Sequence, residues 1–111
     1  MPGSTEFVKV AKVGDVADGD MISVWAGSTE VLLARIGDEY FAADNACTHT
    51  DAMLSMGILY PEICQVECPL HEGIFDLRTG EAIQEPPEDP LPVYTVKVEG
   101  DDIMVGPPNP A

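Results

Sequence analysis

Two histidines occur in this 111-residue chain, and each lies close to a cysteine, in Cys47-Thr48-His49 and in Cys68-Pro69-Leu70-His71. The 18 residues between the pairs, 50 to 67, are enough for two loops whose tips meet at one site. Thiolate and imidazole are preferred ligands of iron in [2Fe-2S] centres and of zinc. A single buried cysteine is more often a small apolar core residue, but two Cys-His pairs in one short chain favour a metal site.

The two pairs, with Gly73-Ile74-Phe75-Asp76 after the second, resemble the cluster-binding loops of Rieske [2Fe-2S] proteins. The length and the downstream proline-rich segment are similar to those of stand-alone Rieske ferredoxins from bacterial aromatic-ring dioxygenase systems. The resemblance implies that Cys47 and Cys68 ligate one iron and His49 and His71 the other. With two neutral imidazoles the oxidised cluster is neutral, whereas four thiolates would leave it negative, so imidazole ligation makes reduction easier.

The function implied by this resemblance is one-electron transfer. The protein would receive electrons from an NAD(P)H-dependent flavin reductase and pass them to a terminal ring-hydroxylating oxygenase, and it would not itself be an enzyme. No phosphate loop or Ser/His/Asp set is evident, and both histidines are already used as ligands. Two alternatives remain open: a Cys2His2 zinc module with a structural or binding role, and a Rieske small subunit of a larger reductase.

The chain departs from the Rieske proteins of respiratory complexes in the residues around the loops. Asp51 and Pro69 stand where those proteins carry an extra disulfide-forming cysteine, and Gly73 and Phe75 stand where they carry hydroxyl groups. Fewer hydrogen bonds to the cluster sulfurs stabilise the reduced state less. We therefore expect a midpoint potential near the bottom of the Rieske range of roughly −150 to +300 mV.

Short segments rich in β-branched residues and separated by Gly, Pro and Asp predict an all-β, antiparallel fold. The resemblance implies a Rieske-like fold of stacked sheets with a cluster-binding subdomain built from loops. We expect a single domain over residues 1–106, the cluster-binding subdomain at about 44–90 and a flexible tail at 107–111. Two segments, 44–60 and 85–92, are interpreted as long loops. The predicted strands are 7–10, 21–25, 30–36, 40–42, 63–67, 74–77, 93–98 and 103–105.

Several residues near the motifs have a simple packing interpretation. Cys64 shares strand parity with Val66, which predicts a small buried side chain and no ligand role. Met53, Leu54 and Met56 either shield the cluster and form a docking patch or only pack the loop. The prolines of 86–92 either brace a third loop over the cluster or only connect two strands. The aromatic residues on predicted strands are expected to be core or half-buried: Trp25, Tyr40, Phe41 and Tyr94.

The composition excludes several other classes of protein. Twenty acidic residues against five basic ones give a net charge of −15, which disfavours binding to nucleic acid or to an anionic membrane surface and favours basic protein partners. Hydrophobic residues make up 45% of the chain, too many for a disordered acidic tail. The three cysteines are too few for a disulfide framework. With neither a secretory signal nor an apolar span in view, we expect a cytoplasmic protein, and we also expect it to be a monomer.

The acidic excess is densest around the motifs. Residues 44–89 hold ten acids and one base, for −9, while the remainder carries −6. Five acids are candidates for a rim around exposed histidines, where they would steer the protein towards basic patches on its partners: Asp51, Glu67, Glu72, Glu88 and Asp89.

Overall fold

A computed structural model of the chain describes residues 7–46, 52–69, 73–84 and 90–108. These residues form ten strands and two short 3-10 helices, Val13–Asp15 and Leu54–Met56. No helix in the described ranges is long and apolar enough to cross a membrane. The strands are β1 (Val8–Lys12), β2 (Asp20–Ala26), β3 (Thr29–Ile36), β4 (Glu39–Asp44), β5 (Ile58–Tyr60), β6 (Gln65–Glu67), β7 (Ile74–Asp76), β8 (Ala82–Gln84), β9 (Val93–Glu99) and β10 (Asp102–Pro108).

Six strands form an antiparallel sheet in the order β1-β10-β9-β4-β3-β2. Its two edge strands, β1 and β2, contact each other, so the sheet curls around a core of its own. Strand β3 is buried on both faces, because Val31 and Leu33 belong to that inner core and Leu32 and Ala34 to a second one. The alternation of side chains along a strand thus lets β3 serve two cores at once.

The second sheet is smaller and carries the residues that precede and follow the second motif. It is antiparallel, with the order β5-β6-β7-β8. Its buried side chains, led by Val66 and Phe75, pack in one cluster with Leu32 and Ala34 of the larger sheet. The predicted all-β class with stacked antiparallel sheets is therefore confirmed.

Several predicted element boundaries were wrong. Residues 44–60 are not one loop, because they contain the 3-10 helix Leu54–Met56 and strand β5. The predicted strand 63–67 begins only at Gln65, since a turn occupies residues 61–64. Strand β8 was not predicted, and β10 spans Asp102–Pro108 where a shorter strand, 103–105, was predicted.

Trp25 does not lie in a core. It is 60% exposed, because β2 is an edge strand and its alternation turns Val24, not Trp25, into the inner core. Tyr40, Phe41 and Tyr94 are half-buried as expected.

Candidate metal centre

The segment 47–52, which contains the first motif and is called the first loop, begins and ends beside residues that are held together by backbone contacts. Ala46 and Met53 form an isolated antiparallel bridge across it. The Leu54 N–H donates to the Asn45 carbonyl at 2.7 Å, and the Asn45 N–H donates to the Glu30 carbonyl of β3 at 3.2 Å. The first loop is therefore closed at its base and anchored to the larger sheet.

The side chain of Asn45 also belongs to this base. It is 1% exposed, and among the described residues it is the one polar residue that is buried in the core. Its Oδ1 accepts the Ser55 N–H at 2.8 Å. Because an amide NH2 group cannot accept a hydrogen bond, this contact identifies which branch of the side chain is the oxygen. Its Nδ2 is buried and has no hydrogen-bond partner among the described residues.

The second motif lies between β6 and β7, which pair as an antiparallel hairpin. Cys68 follows β6 directly, and its N–H donates to the Gly73 carbonyl at 2.7 Å. These two residues close the second loop, residues 69–72. The Cys68 side chain is only 2% exposed and packs in the same core as Phe75. This hairpin places a sulfur atom at the buried base of the second loop.

Gly57 is the point where the chain leaving the first loop meets the second. A Cβ on this glycine would lie 1.9 Å from the Glu67 carbonyl oxygen and 3.1 Å from Pro69 Cδ. Leu54, from the same segment, shares a core cluster with Cys68. The described parts of the two motif segments therefore lie side by side at their bases.

A third segment reaches the same region. The Leu91 N–H donates to the Gly80 carbonyl at 2.6 Å, and the Asp44 N–H donates to the Pro92 carbonyl at 3.0 Å. Leu91 is buried in the core beneath the loops. The chain that follows the proline-rich residues is thus tied both to the end of the β7 turn and to the start of the first loop.

Of the four predicted ligands, Cys68 is described, whereas Cys47, His49 and His71 lie outside the described residues. Within the described ranges no group of three or more His, Cys, Asp or Glu side chains could hold a metal. What is described fits a [2Fe-2S] group: a buried cysteine at the base of a closed hairpin, beside a second closed loop whose sequence supplies another Cys-His pair. The thiolate and imidazole donor set is the one that Rieske irons use.

Cys64 lies at the far end of β6 from Cys68. Its carbonyl accepts the Leu77 N–H, at the end of the β6–β7 hairpin opposite to the loop, about 13 Å of extended chain from Cys68. Burial raises the pKa of its thiol, which keeps the sulfur protonated and a poor metal ligand. The predicted burial is correct, but Cys64 is a turn residue with φ of +56° and does not lie on strand β6, so the parity argument was wrong.

The acidic surface around the loops is described in part. Of the five predicted rim acids, Asp51, Glu72, Glu88 and Asp89 lie outside the described residues. Glu67 Oε1 accepts the Tyr60 hydroxyl at 2.5 Å. Two further carboxylates, Glu30 and Asp44, line a groove of about 400 Å³ beside Met53. Met53 is 41% and Met56 71% exposed, whereas Leu54 is buried, so the apolar segment after the first loop is partly a surface feature.

Tyr94 of β9 forms a hydrogen bond with the last residue of β4, shortly before the first loop. Its hydroxyl donates to Asp44 Oδ1. Burial, followed by the hydrogen bond to Asp44 and the charge of that carboxylate, raises the pKa of Tyr94 above its ordinary value of 10.0. The phenol therefore stays protonated and holds this contact throughout the physiological range.

Replacing Tyr94 with phenylalanine is expected to lower the free energy of unfolding by about 1 kcal/mol at neutral pH. Because the folded-state pKa is the higher one, the unfolded tyrosine loses its proton first, so the contribution is complete below pH 10.0 and declines as the pH rises above it. Denaturant unfolding of both proteins from neutral to alkaline pH measures the difference. A stability gap that widened above pH 10.0 would contradict the assignment.

Sequence reasoning did not identify Asn45 and Gly57 as parts of the site. Asn45 lies two residues before Cys47, and Gly57 directly precedes the apolar run Ile58–Tyr60. Both positions could have been flagged by their closeness to the motifs. The role of Asn45 depends on its contact with Ser55 across the first loop, and that of Gly57 on its contact with Glu67, where the two loop bases pack together.

Comparison with known proteins matches residues 6–95 to the Rieske [2Fe-2S] domain. The chain is similar to the ferredoxin component of biphenyl 2,3-dioxygenase from Rhodococcus jostii, with 40% identity over 99 residues, covering 89% of this chain and 91% of that one. It is also similar in structure to the ferredoxin of carbazole 1,9a-dioxygenase from Nocardioides aromaticivorans, with a TM-score of 0.88, 37% identity and coverage of 93% and 99%.

A further similar structure is a complex of reduced oxygenase and oxidised ferredoxin in carbazole 1,9a-dioxygenase. It gives a TM-score of 0.85 and 32% identity, covering 95% of this chain and 97% of the matched one. A chain named as a nitrite reductase small subunit from Mycobacterium tuberculosis gives a TM-score of 0.79 but only 22% identity, covering 96% of each chain, which shows a shared fold alone.

Proposed function

Because the chain belongs to the Rieske [2Fe-2S] domain family, we propose that it is the ferredoxin component of a multicomponent dioxygenase that hydroxylates aromatic rings. The observation that carries this proposal is similarity over almost the whole length of both proteins to dioxygenase ferredoxins. These relatives are electron carriers and not catalysts. The family match does not support the zinc module. The reductase small subunit shares the fold, but its identity of 22% is too low to support the small-subunit alternative.

One Rieske-type [2Fe-2S] cluster is the cofactor of this family. Its proposed ligands are Cys47 and Cys68 for one iron and His49 and His71 for the other; when bound, the cluster takes up and releases one electron at a time. The burial of Cys68 keeps its side chain from water. The backbone contacts at the loop bases hold the protein side of the proposed site in place.

The proposed partners are a flavin-containing ferredoxin reductase and a terminal oxygenase. Support for the oxygenase comes from the carbazole dioxygenase complex, in which a similar ferredoxin is bound to its oxygenase. The single domain over 1–106, the monomeric state and the cytoplasmic location belong to the same proposal, because a carrier that meets two partners in turn has to move between them.

The experiment that tests this function is spectroscopic and kinetic. The purified protein should be coloured and, after one-electron reduction, should give a rhombic EPR signal with a low average g value. It should then mediate electron flow from a ferredoxin reductase to a ring-hydroxylating oxygenase. A colourless, EPR-silent protein that contains zinc would refute the proposal, and co-purification with a large reductase chain would support the small-subunit alternative.

Transfer to basic partners should depend strongly on ionic strength. The segment 44–89 carries −9, and the groove beside Met53 adds the Glu30 carboxylate to that of Asp44. Since salt screens charges beyond about 10 Å at 0.1 M, we expect the second-order rate of electron transfer to fall at least tenfold between low and high salt. A rate that does not change would mean that these acids serve only solubility.

A further inference from the structure

Asn45 has a buried polar side chain at the base of the first loop, and all but one of its hydrogen-bonding groups have partners. Its N–H is bound to the Glu30 carbonyl, its carbonyl to the Leu54 N–H and its Oδ1 to the Ser55 N–H. These three bonds join β3, the first loop and the 3-10 helix. They fix the position of the side chain and decide which branch of the amide is the nitrogen.

The remaining group, Nδ2, is a donor buried without a hydrogen-bond partner among the described residues. Leaving a buried donor unsatisfied costs about 1–3 kcal/mol, and an aliphatic side chain at this position would avoid that cost. A buried donor avoids this free-energy cost only when an acceptor lies within hydrogen-bond distance. The first loop begins two residues later with Cys47, within about 7 Å of extended chain.

We infer that Asn45 Nδ2 donates a hydrogen bond to a sulfur atom of the iron–sulfur group. This inference rests on the proposed function. Sulfur carries more negative charge in the reduced cluster, so the bond is stronger in that state and raises the midpoint potential. Gly73 and Phe75 carry no polar side-chain group, so the amide supplies a donor that those positions lack. Asn45 is thus a positioning residue that tunes the cluster.

The variant Asn45→Asp removes the donor and also adds a negative charge, which the control variant below accounts for. Aspartate has nearly the same shape and retains an oxygen for the Ser55 N–H, but it replaces the NH2 group. We expect the cluster to be retained and its reduction to become about tenfold less favourable, a fall of about 59 mV for one electron. The control is Ala46→Asp, which adds the same charge at the neighbouring exposed position. An equal fall in both variants would mean that charge alone acts, and would overturn the inference.

Isotope labelling tests the same bond without altering the protein. The chain has only two asparagines, Asn45 and Asn109, so selective 15N-asparagine labelling marks few nitrogens. Pulsed EPR of the reduced, labelled protein should show a weak 15N coupling that persists in Asn109→Ser and disappears in Asn45→Asp. A rhombic cluster signal without this coupling would overturn the inference alone, whereas the absence of any cluster signal would refute the proposed function.

Discussion

Cys68→Ala is expected to yield a colourless protein, with iron and sulfide contents near zero. Its sulfur is the described member of the proposed ligand set, and it is buried at the base of the second loop, where no water molecule can readily replace it. Loss of the cluster also removes the link between the two loops. We therefore expect the free energy of unfolding to fall by several kcal/mol, as when other metal-linked small domains lose their metal. Visible absorbance, metal analysis and denaturant unfolding measure these effects.

Cys64→Ala is the matched control, because it makes the same chemical change at another buried cysteine of the same core. Cys64 lies at the opposite end of β6, and burial raises the pKa of its thiol, so we expect unchanged colour and EPR spectrum. The cost should be only that of a lost sulfur atom, about 1 kcal/mol. Bleaching of this variant, or retention of colour in Cys68→Ala, would overturn the ligand assignment.

The elements that the sequence predicted well are those with a clear local pattern. Strand β3 contains an apolar run bounded by turn residues, and its hairpin with β4 is marked by Gly37-Asp38. Strands β5 and β8 were not predicted; they have three residues each, as β6 and β7 do, so length alone does not explain why they were missed. The pairing of β1 with β10 and of β4 with β9 joins segments far apart in sequence. No local pattern encodes these pairings, so the topology could come only from the family resemblance.

Some residues of the candidate site could be predicted from the sequence and others could not. The proposed ligands were identifiable because cysteine and histidine are rare in this chain and occur in pairs. Asn45 and Gly57 were not, because asparagine and glycine are ordinary residues of turns. What distinguishes them is an environment made by other segments: Ser55 for Asn45, and Glu67 with Pro69 for Gly57. Residue type is therefore enough to propose the ligands, but not to predict the contacts that hold the two loop bases together.

Gly57→Ala is expected to separate the two loops. The added Cβ would lie 1.9 Å from the Glu67 carbonyl oxygen, and that oxygen belongs to the strand that leads into Cys68. Because the obstacle is backbone, it cannot rotate away as a flexible side chain would. We expect a destabilisation of about 3 kcal/mol and a cluster that is absent or lost rapidly on dilution. Thermal unfolding and the rate of bleaching under air measure both effects.

Gly14→Ala is the control for this change. Gly14 lies in the 3-10 helix Val13–Asp15, its added Cβ would meet no described atom within 4 Å, and it is not among the glycines with positive φ. Both variants restrict the unfolded chain equally, an effect worth about 0.4–1 kcal/mol in favour of folding, so their difference isolates the clash. If Gly57→Ala bound its cluster as stably as Gly14→Ala, close contact between the loop bases would not be what holds the two motifs together. The ligands would then have to impose that geometry themselves.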